Sequence, residues 1–166
     1  MGAKPAKLGT LDVLLIPGTV LIVNQSNPTG GTVGSTVHHV GITVPDLKAL
    51  LQGPDEIRIE LSLGAWYLQT FNAVSGKCGE FEAADLPGVN LLFSAATPAL
   101  VGTKGRSLDH IGFEVRDLEA STKKLEATGV HFAVPYRKIP ARGISIAFST
   151  DPWGTYIELT EGLAAA

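Results

Sequence analysis

The residues in this chain best suited to chemistry are histidines and carboxylates at matched positions of a repeated segment. Val37-His-His-Val-Gly-Ile-Thr-Val-Pro-Asp-Leu47 aligns without gaps on Leu108-Asp-His-Ile-Gly-Phe-Glu-Val-Arg-Asp-Leu118, which pairs His39 with His110. Gly41 and Gly112, Val44 and Val115, Asp46 and Asp117, and Leu47 and Leu118 are also identical pairs. A further echo sets Pro54-Asp-Glu-Ile-Arg-Ile-Glu-Leu61 against Pro152-Trp-Gly-Thr-Tyr-Ile-Glu-Leu159 and matches Glu60 to Glu158. Imidazole nitrogens and carboxylate oxygens hold divalent Zn, Fe, Mn, Ni or Co while leaving coordination positions open. A lone strand histidine is ordinarily a hydrogen-bonded structural residue, and a glutamate near a strand end is ordinarily solvated. Recurrence at equivalent positions lifts His39, His110, Glu60 and Glu158 above that reading.

Strands must present these groups. Side chains alternate faces along a strand. In 108–115 the alternation puts Ile111, Phe113 and Val115 on one face and His110, Gly112 and Glu114 on the other. In 155–160 it puts Ile157 and Leu159 opposite Tyr156, Glu158 and Thr160, and in 37–44 it favours His39 over His38. The glycine two residues beyond each histidine leaves space beside the ring. Alternating or apolar runs predict strands at 11–16, 19–25, 36–44, 56–61, 80–84, 89–95, 107–115, 131–135, 143–149 and 155–160. Asp117 predicts a helix N-cap, with Leu118, Ala120, Leu125 and Ala127 as its stripe and Gly129 as its stop. Shorter helices are predicted from Asp46 to Leu51 and from Leu63 to Ala73. The second copy therefore reads β-α-β-β-β over 107–160, a mixed α+β pattern with helices against one sheet face.

Composition narrows the function classes. The 166 residues are 45% hydrophobic and 17% charged, enough apolar side chains for a packed core. Nineteen glycines and ten prolines predict many turns and short strands. The net charge of −3 and the lack of a basic cluster argue against nucleic-acid binding. Cys78 is the lone cysteine, so no internal disulfide is available, and a reducing, cytoplasmic setting is expected. The apolar stretch from Leu11 to Val23 is interrupted at Asp12 and Pro17-Gly18 and is expected to form buried strands, with no signal peptide or membrane span. Thr29-Gly-Gly-Thr-Val-Gly34 lacks the Gly-Lys-Ser/Thr ending of a phosphate loop, and His131 has no counterpart in the other copy.

Three stretches carry a family resemblance: Asp109-His-Ile-Gly-Phe-Glu-Val-Arg-Asp-Leu118, Leu125-Glu-Ala-Thr-Gly129 and Phe148-Ser-Thr-Asp-Pro-Trp-Gly-Thr-Tyr-Ile-Glu-Leu159. Together they resemble the closing module of the vicinal oxygen chelate superfamily, which includes glyoxalases, extradiol dioxygenases and bleomycin- and fosfomycin-resistance proteins. The resemblance implies repeated βαβββ modules forming a cup-shaped mixed sheet with helices on the outer face. It implies a complete module over 103–163, a partial or rearranged one over 10–102, a flexible start at 1–9 and a tail at 164–166. It also implies that His110 and Glu158, with His39 and Glu60, bind a divalent metal ion that chelates a small-molecule substrate. The first half departs from the pattern. The stretch between Val44 and Glu60 is too short for two of its strands, and Leu92 and Ile22 stand where other modules carry the last-strand glutamate.

The implied activity is that of a metal-dependent lyase or isomerase of glyoxalase type, with Glu158 or Glu60 as the proton-moving group and Tyr156 and Arg58 as substrate contacts. Two alternatives share the fold. One is an Fe(II) ring-cleaving dioxygenase using His39, His110 and Glu158, and the other is a non-catalytic small-molecule binding protein. A homodimer is expected from the shortened module and the apolar N-terminal hairpin.

Overall fold

The computed structural model describes residues 3–16, 18–23, 26–37, 63–93 and 100–163. These form a mixed α+β fold of three antiparallel-rich sheets and two helices. The C-terminal unit runs β7 (Ile111–Glu114), α2 (Leu118–Ala127), β8 (Phe132–Ile139), β9 (Ile144–Thr150) and β10 (Tyr156–Glu161). Its sheet order is β7-β10-β9-β8, so the helix carries the chain across the sheet and β7 and β10 become parallel neighbours. This is the β-α-β-β-β order read from the sequence. The register sets Glu158 beside Gly112 and Ile157 beside Ile111.

Local chemistry fixes the ends of α2. Asp117 accepts a hydrogen bond from the Ala120 backbone N–H at 3.0 Å, which satisfies one of the free donors of the first turn. At the other end Gly129, with φ +94°, donates to Glu126, and Val130 donates to Leu125 at 3.1 Å. That is the paired closure of a left-handed helix stop. Leu118, Thr122 and Leu125 form the buried stripe, one turn apart.

The middle of the chain forms α1 (Leu63–Phe71), β4 (Val74–Cys78), β5 (Phe81–Leu86) and β6 (Val89–Phe93), a helix followed by an antiparallel three-stranded sheet. Tyr67, Ala84, Leu91 and Phe93 from this unit share one core with Leu118, Leu125, Ala147, Ile157 and Leu159 of the C-terminal unit. Aromatic rings bridge the two, Phe71 lying 5.4 Å from Phe113. Helix α2 therefore packs on the Ile157–Leu159 face of its sheet, opposite the face to which Glu158 belongs.

That second face is also covered. The N-terminal strands β1 (Lys4–Leu8), β2 (Leu11–Ile16) and β3 (Thr19–Ile22) form an antiparallel sheet. Its Leu8, Val13, Val20 and Ile22 pack with Ile144, Ile146 and Phe148 of β9. Strand β1 occupies most of the stretch expected to be a flexible start, because Leu8 and Ala6 have an apolar partner to cover and β2 supplies the ladder. Strand β4, which sequence reading missed, is a largely exposed strand whose pairing with β5 holds it. The strands expected at 56–61 and most of 36–44, and the helix expected from Asp46 to Leu51, lie outside the described residues.

Candidate metal centre

His110 stands immediately before β7, and Glu158 is the third residue of β10. Their parallel pairing brings Nε2 of His110 to 3.2 Å from Oε2 of Glu158. The other ring nitrogen, Nδ1, donates to Oδ1 of Asp109 at 2.7 Å, and Oδ2 of Asp109 accepts the Gly105 backbone N–H at 2.5 Å. Asp109 thus fixes the ring plane and is itself fixed by the preceding loop. Gly112 matters here. A Cβ at that position would stand 3.9 Å from Oε2 of Glu158, an ordinary contact, so the glycine leaves open space beside the carboxylate.

The electrostatics favour a positive group at this point. Burial pushes the His110 imidazole pKa down, but hydrogen bonds to Glu158 and Asp109 and their negative charges outweigh it and raise the pKa above the ordinary value. Glu158 is buried at 8% exposure, an expensive place for a carboxylate without a cationic partner. Thr160, on the same face and 1% exposed, has a hydroxyl with no hydrogen-bond partner among the described residues.

Aromatic rings wall the pair. Phe148 lies 5.3 Å from the His110 ring in an edge contact, and Tyr156 lies 6.3 Å from it. Phe148 and Tyr156 stack at 4.9 Å, and the Lys104 ammonium sits 4.6 Å from the Tyr156 ring centre. Phe148 also packs against the N-terminal sheet, so that sheet backs the apolar side of the site. Sequence reading singled out His110 and Glu158 through repetition and face parity and Tyr156 through its place on the Glu158 strand, and the structure brings these three together. It missed Asp109, Phe148 and Lys104. Asp109 adjoins the repeated histidine but has His38 as its counterpart, so repetition gave it no weight.

His39, Glu60 and Arg58 fall outside the described residues. The described chain nonetheless runs to Val37, and Oγ1 of Thr155 donates to Oγ1 of Thr36 at 3.0 Å. Thr36 precedes His39 by three residues, as Thr155 precedes Glu158. In β6, Leu91 and Phe93 face the core as Ile157 and Leu159 do in β10, which puts Leu92 at the place of Glu158. His131 is exposed at the start of β8, at the rim of a separate cleft of about 670 Å³ lined by Trp66, Gln69 and Phe132. That cleft includes neither His110 nor Glu158.

Two donor atoms 3.2 Å apart match two ligands of one ion. Metal–ligand bonds of about 2.1 Å place neighbouring ligands roughly 3.0 Å apart in octahedral geometry and about 3.4 Å in tetrahedral geometry. The Asp109 contact to Nδ1 is the outer hydrogen bond that orients ligating imidazoles. The unpartnered Thr160 hydroxyl adds a polar atom to the same face. The residues present therefore fit part of a divalent-ion site. Among the described residues, no group of three or more potential metal-ligating side chains forms.

Comparison with known proteins agrees with this architecture. The family model of the Glyoxalase/Bleomycin resistance protein/Dioxygenase superfamily matches residues 69–159. The fosfomycin resistance protein FosX from Listeria monocytogenes superposes with a TM-score of 0.52 at 16% identity, over 69% of this chain and 97% of that one. A Bacillus anthracis protein assigned to the glyoxalase family superposes with a TM-score of 0.51 at 16% identity, over 67% of this chain and 95% of that one. At such identities the likeness is one of fold. No curated protein matches the chain.

Proposed function

The chain belongs to the Glyoxalase/Bleomycin resistance protein/Dioxygenase superfamily, and from that premise we propose that it is a divalent-metal-dependent lyase or isomerase of glyoxalase type. Its substrate is a small molecule with neighbouring oxygens. The observation that carries the proposal is the 3.2 Å approach of His110 Nε2 to Glu158 Oε2, on the sheet face opposite α2. His110 and Glu158 hold the ion, and His39 is proposed as a third ligand. In support, Thr36, three residues before His39 in the sequence, is tied to Thr155, three residues before Glu158. Glu60 is proposed as a fourth ligand. An ion held there supplies Lewis-acid polarisation of a substrate oxygen.

The chain's own groups do the rest. Glu158, or Glu60, takes and returns a proton at the carbon beside the polarised oxygen. Asp109, by taking the Nδ1 hydrogen of His110, would leave Nε2 as the nitrogen available to an ion. Phe148 and Tyr156 exclude water from one side, and the Lys104 ammonium can receive an anionic end of the substrate. Arg58 is proposed as a further substrate contact. A homodimer in the cytoplasm is the proposed working state. Among the described residues no helix is long and apolar enough to cross a membrane.

Elemental analysis of purified protein tests the reading. We expect close to one Zn, Ni, Co or Mn per chain in the wild type and loss of that metal in His110→Ala. Unchanged metal content in His110→Ala refutes the ligand assignment. Iron with oxygen uptake would transfer the site to a ring-cleaving dioxygenase using His39, His110 and Glu158. Ligand binding without turnover that survives Glu158→Ala would make the protein a binding module.

A further inference from the structure

Among the described residues, a buried carboxylate–phenol pair lies outside the candidate site. Asp151, 4% exposed, opens the turn between β9 and β10, and Tyr67, 3% exposed, lies on α1. Oδ1 of Asp151 accepts the backbone N–H groups of Trp153 at 3.0 Å and Thr155 at 2.8 Å, so it shapes the turn. Oδ2 instead accepts the Tyr67 hydroxyl at 3.2 Å, across 84 positions of sequence. The same turn is held from two other sides. Thr36 shares a hydrogen bond with Thr155, and Thr103 accepts the Tyr156 backbone N–H at 2.9 Å. Gly102 and Gly154 approach so closely that a Cβ on Gly102 would stand 2.7 Å from the Gly154 carbonyl oxygen.

We propose that the Tyr67–Asp151 hydrogen bond is a latch that sets the register of β10, which makes Tyr67 and Asp151 positioning residues for Glu158. The inference rests on the proposed ion site. Glu158 follows Thr155 by three residues on a strand whose side chains alternate. A slip of one position at the turn would turn Glu158 toward α2 and bring Ile157 or Leu159 to the ion. The turn uses Oδ1 alone, which leaves the second side-chain atom of Asp151 to the contact with Tyr67. Burial pushes the Asp151 pKa up, and burial with the nearby carboxylate pushes the Tyr67 hydroxyl well above its usual range. A buried polar pair can select one arrangement of the elements it joins even where it adds little stability. Here the selected arrangement joins α1 of the partial module to the strand that bears Glu158.

The test uses the full chain and Zn²⁺ as probe, with two readouts: the Zn²⁺ dissociation constant by chelator competition, and amide exchange at residues 155–160 in metal-free protein. Tyr67→Phe removes the hydroxyl but keeps the ring. Loss of one buried hydrogen bond predicts Zn²⁺ binding weaker by roughly 3- to 10-fold, and exchange at 155–160 faster by a similar factor. Asp151→Asn keeps the turn acceptor and offers an amide to Tyr67, so it should bind Zn²⁺ nearly as the wild type does. Leu125→Val, a core change on α2, should lower thermal stability without moving Zn²⁺ affinity. Tyr67→Phe protein with wild-type Zn²⁺ affinity overturns the positioning role, as does Tyr67→Phe protein that fails to fold. A wild type that binds no Zn²⁺ overturns the proposed ion site instead. The latch is then decided by exchange alone, and unchanged exchange in Tyr67→Phe removes it.

Discussion

Asp109→Asn separates the group proposed to hold the ion from the group proposed to aim it. In the wild type, one carboxylate oxygen of Asp109 takes the Nδ1 hydrogen of His110 at 2.7 Å and the other takes the Gly105 N–H at 2.5 Å. The asparagine keeps one acceptor, so the ring can hold its orientation, but the negative charge is lost. The Gly105 N–H then meets an amide nitrogen unless the side chain flips and gives up His110. Two effects follow. The imidazole loses one of the two carboxylates that raise its pKa against burial, so the pKa falls. Its Nε2 also becomes a poorer ligand, because a carboxylate on the far nitrogen increases ligand basicity. Loss of such an outer partner weakens metal affinity by about 10- to 100-fold, or about 1.4 to 2.8 kcal/mol. The ligand atoms themselves are untouched, so stoichiometry at saturating Zn²⁺ should stay at the wild-type value. Chelator competition measures the affinity, and elemental analysis after Zn²⁺ saturation measures the stoichiometry. An affinity within twofold of wild type, in a protein where His110→Ala abolishes binding, would refute the role given to Asp109.

Two further outcomes concern stability. Asp151 has a folded pKa above its unfolded value, so its contribution is fully present below about pH 4 and is lost as pH rises through the folded pKa. The stability of the wild type minus that of Asp151→Asn should therefore fall with rising pH from about 4 upward in urea titrations; a flat or rising difference would contradict the burial of that carboxylate. Phe93, 1% exposed and 6.1 Å from the Tyr67 ring centre, belongs to the core shared by both units. Phe93→Ala should cost about 3–5 kcal/mol, lowering the melting temperature by roughly 10 °C or more. A loss below about 1 kcal/mol would mean that the units do not share that core.

Much of the C-terminal unit was legible because its signals are local. Strand alternation in 111–115 and 156–160 placed Ile111, Phe113, Ile157 and Leu159 on one face and His110 and Glu158 on the other, and the packing follows that division. Asp117 and Gly129 marked the ends of α2 because caps depend on a few neighbouring backbone groups. The N-terminal sheet was read in part. β2 and β3 are apolar enough to declare themselves, whereas β1 carries Lys4, Pro5 and Lys7 and becomes a strand only because β2 and β9 lie beside it.

The amino-acid sequence by itself determined the donors, their faces and the helix–strand order, since each depends on residue type and a period of two or 3.6. Tertiary structure alone decided that β7 and β10 lie parallel and adjacent, which brings His110 within 3.2 Å of Glu158. It alone set Phe148 and Lys104 around the pair and tied Tyr67 to Asp151. The physical reason is that these contacts join residues distant along the chain, and their free energy comes from burial and pairing that arise only once several elements have packed. No pattern within one strand or helix encodes which other strand will lie next to it.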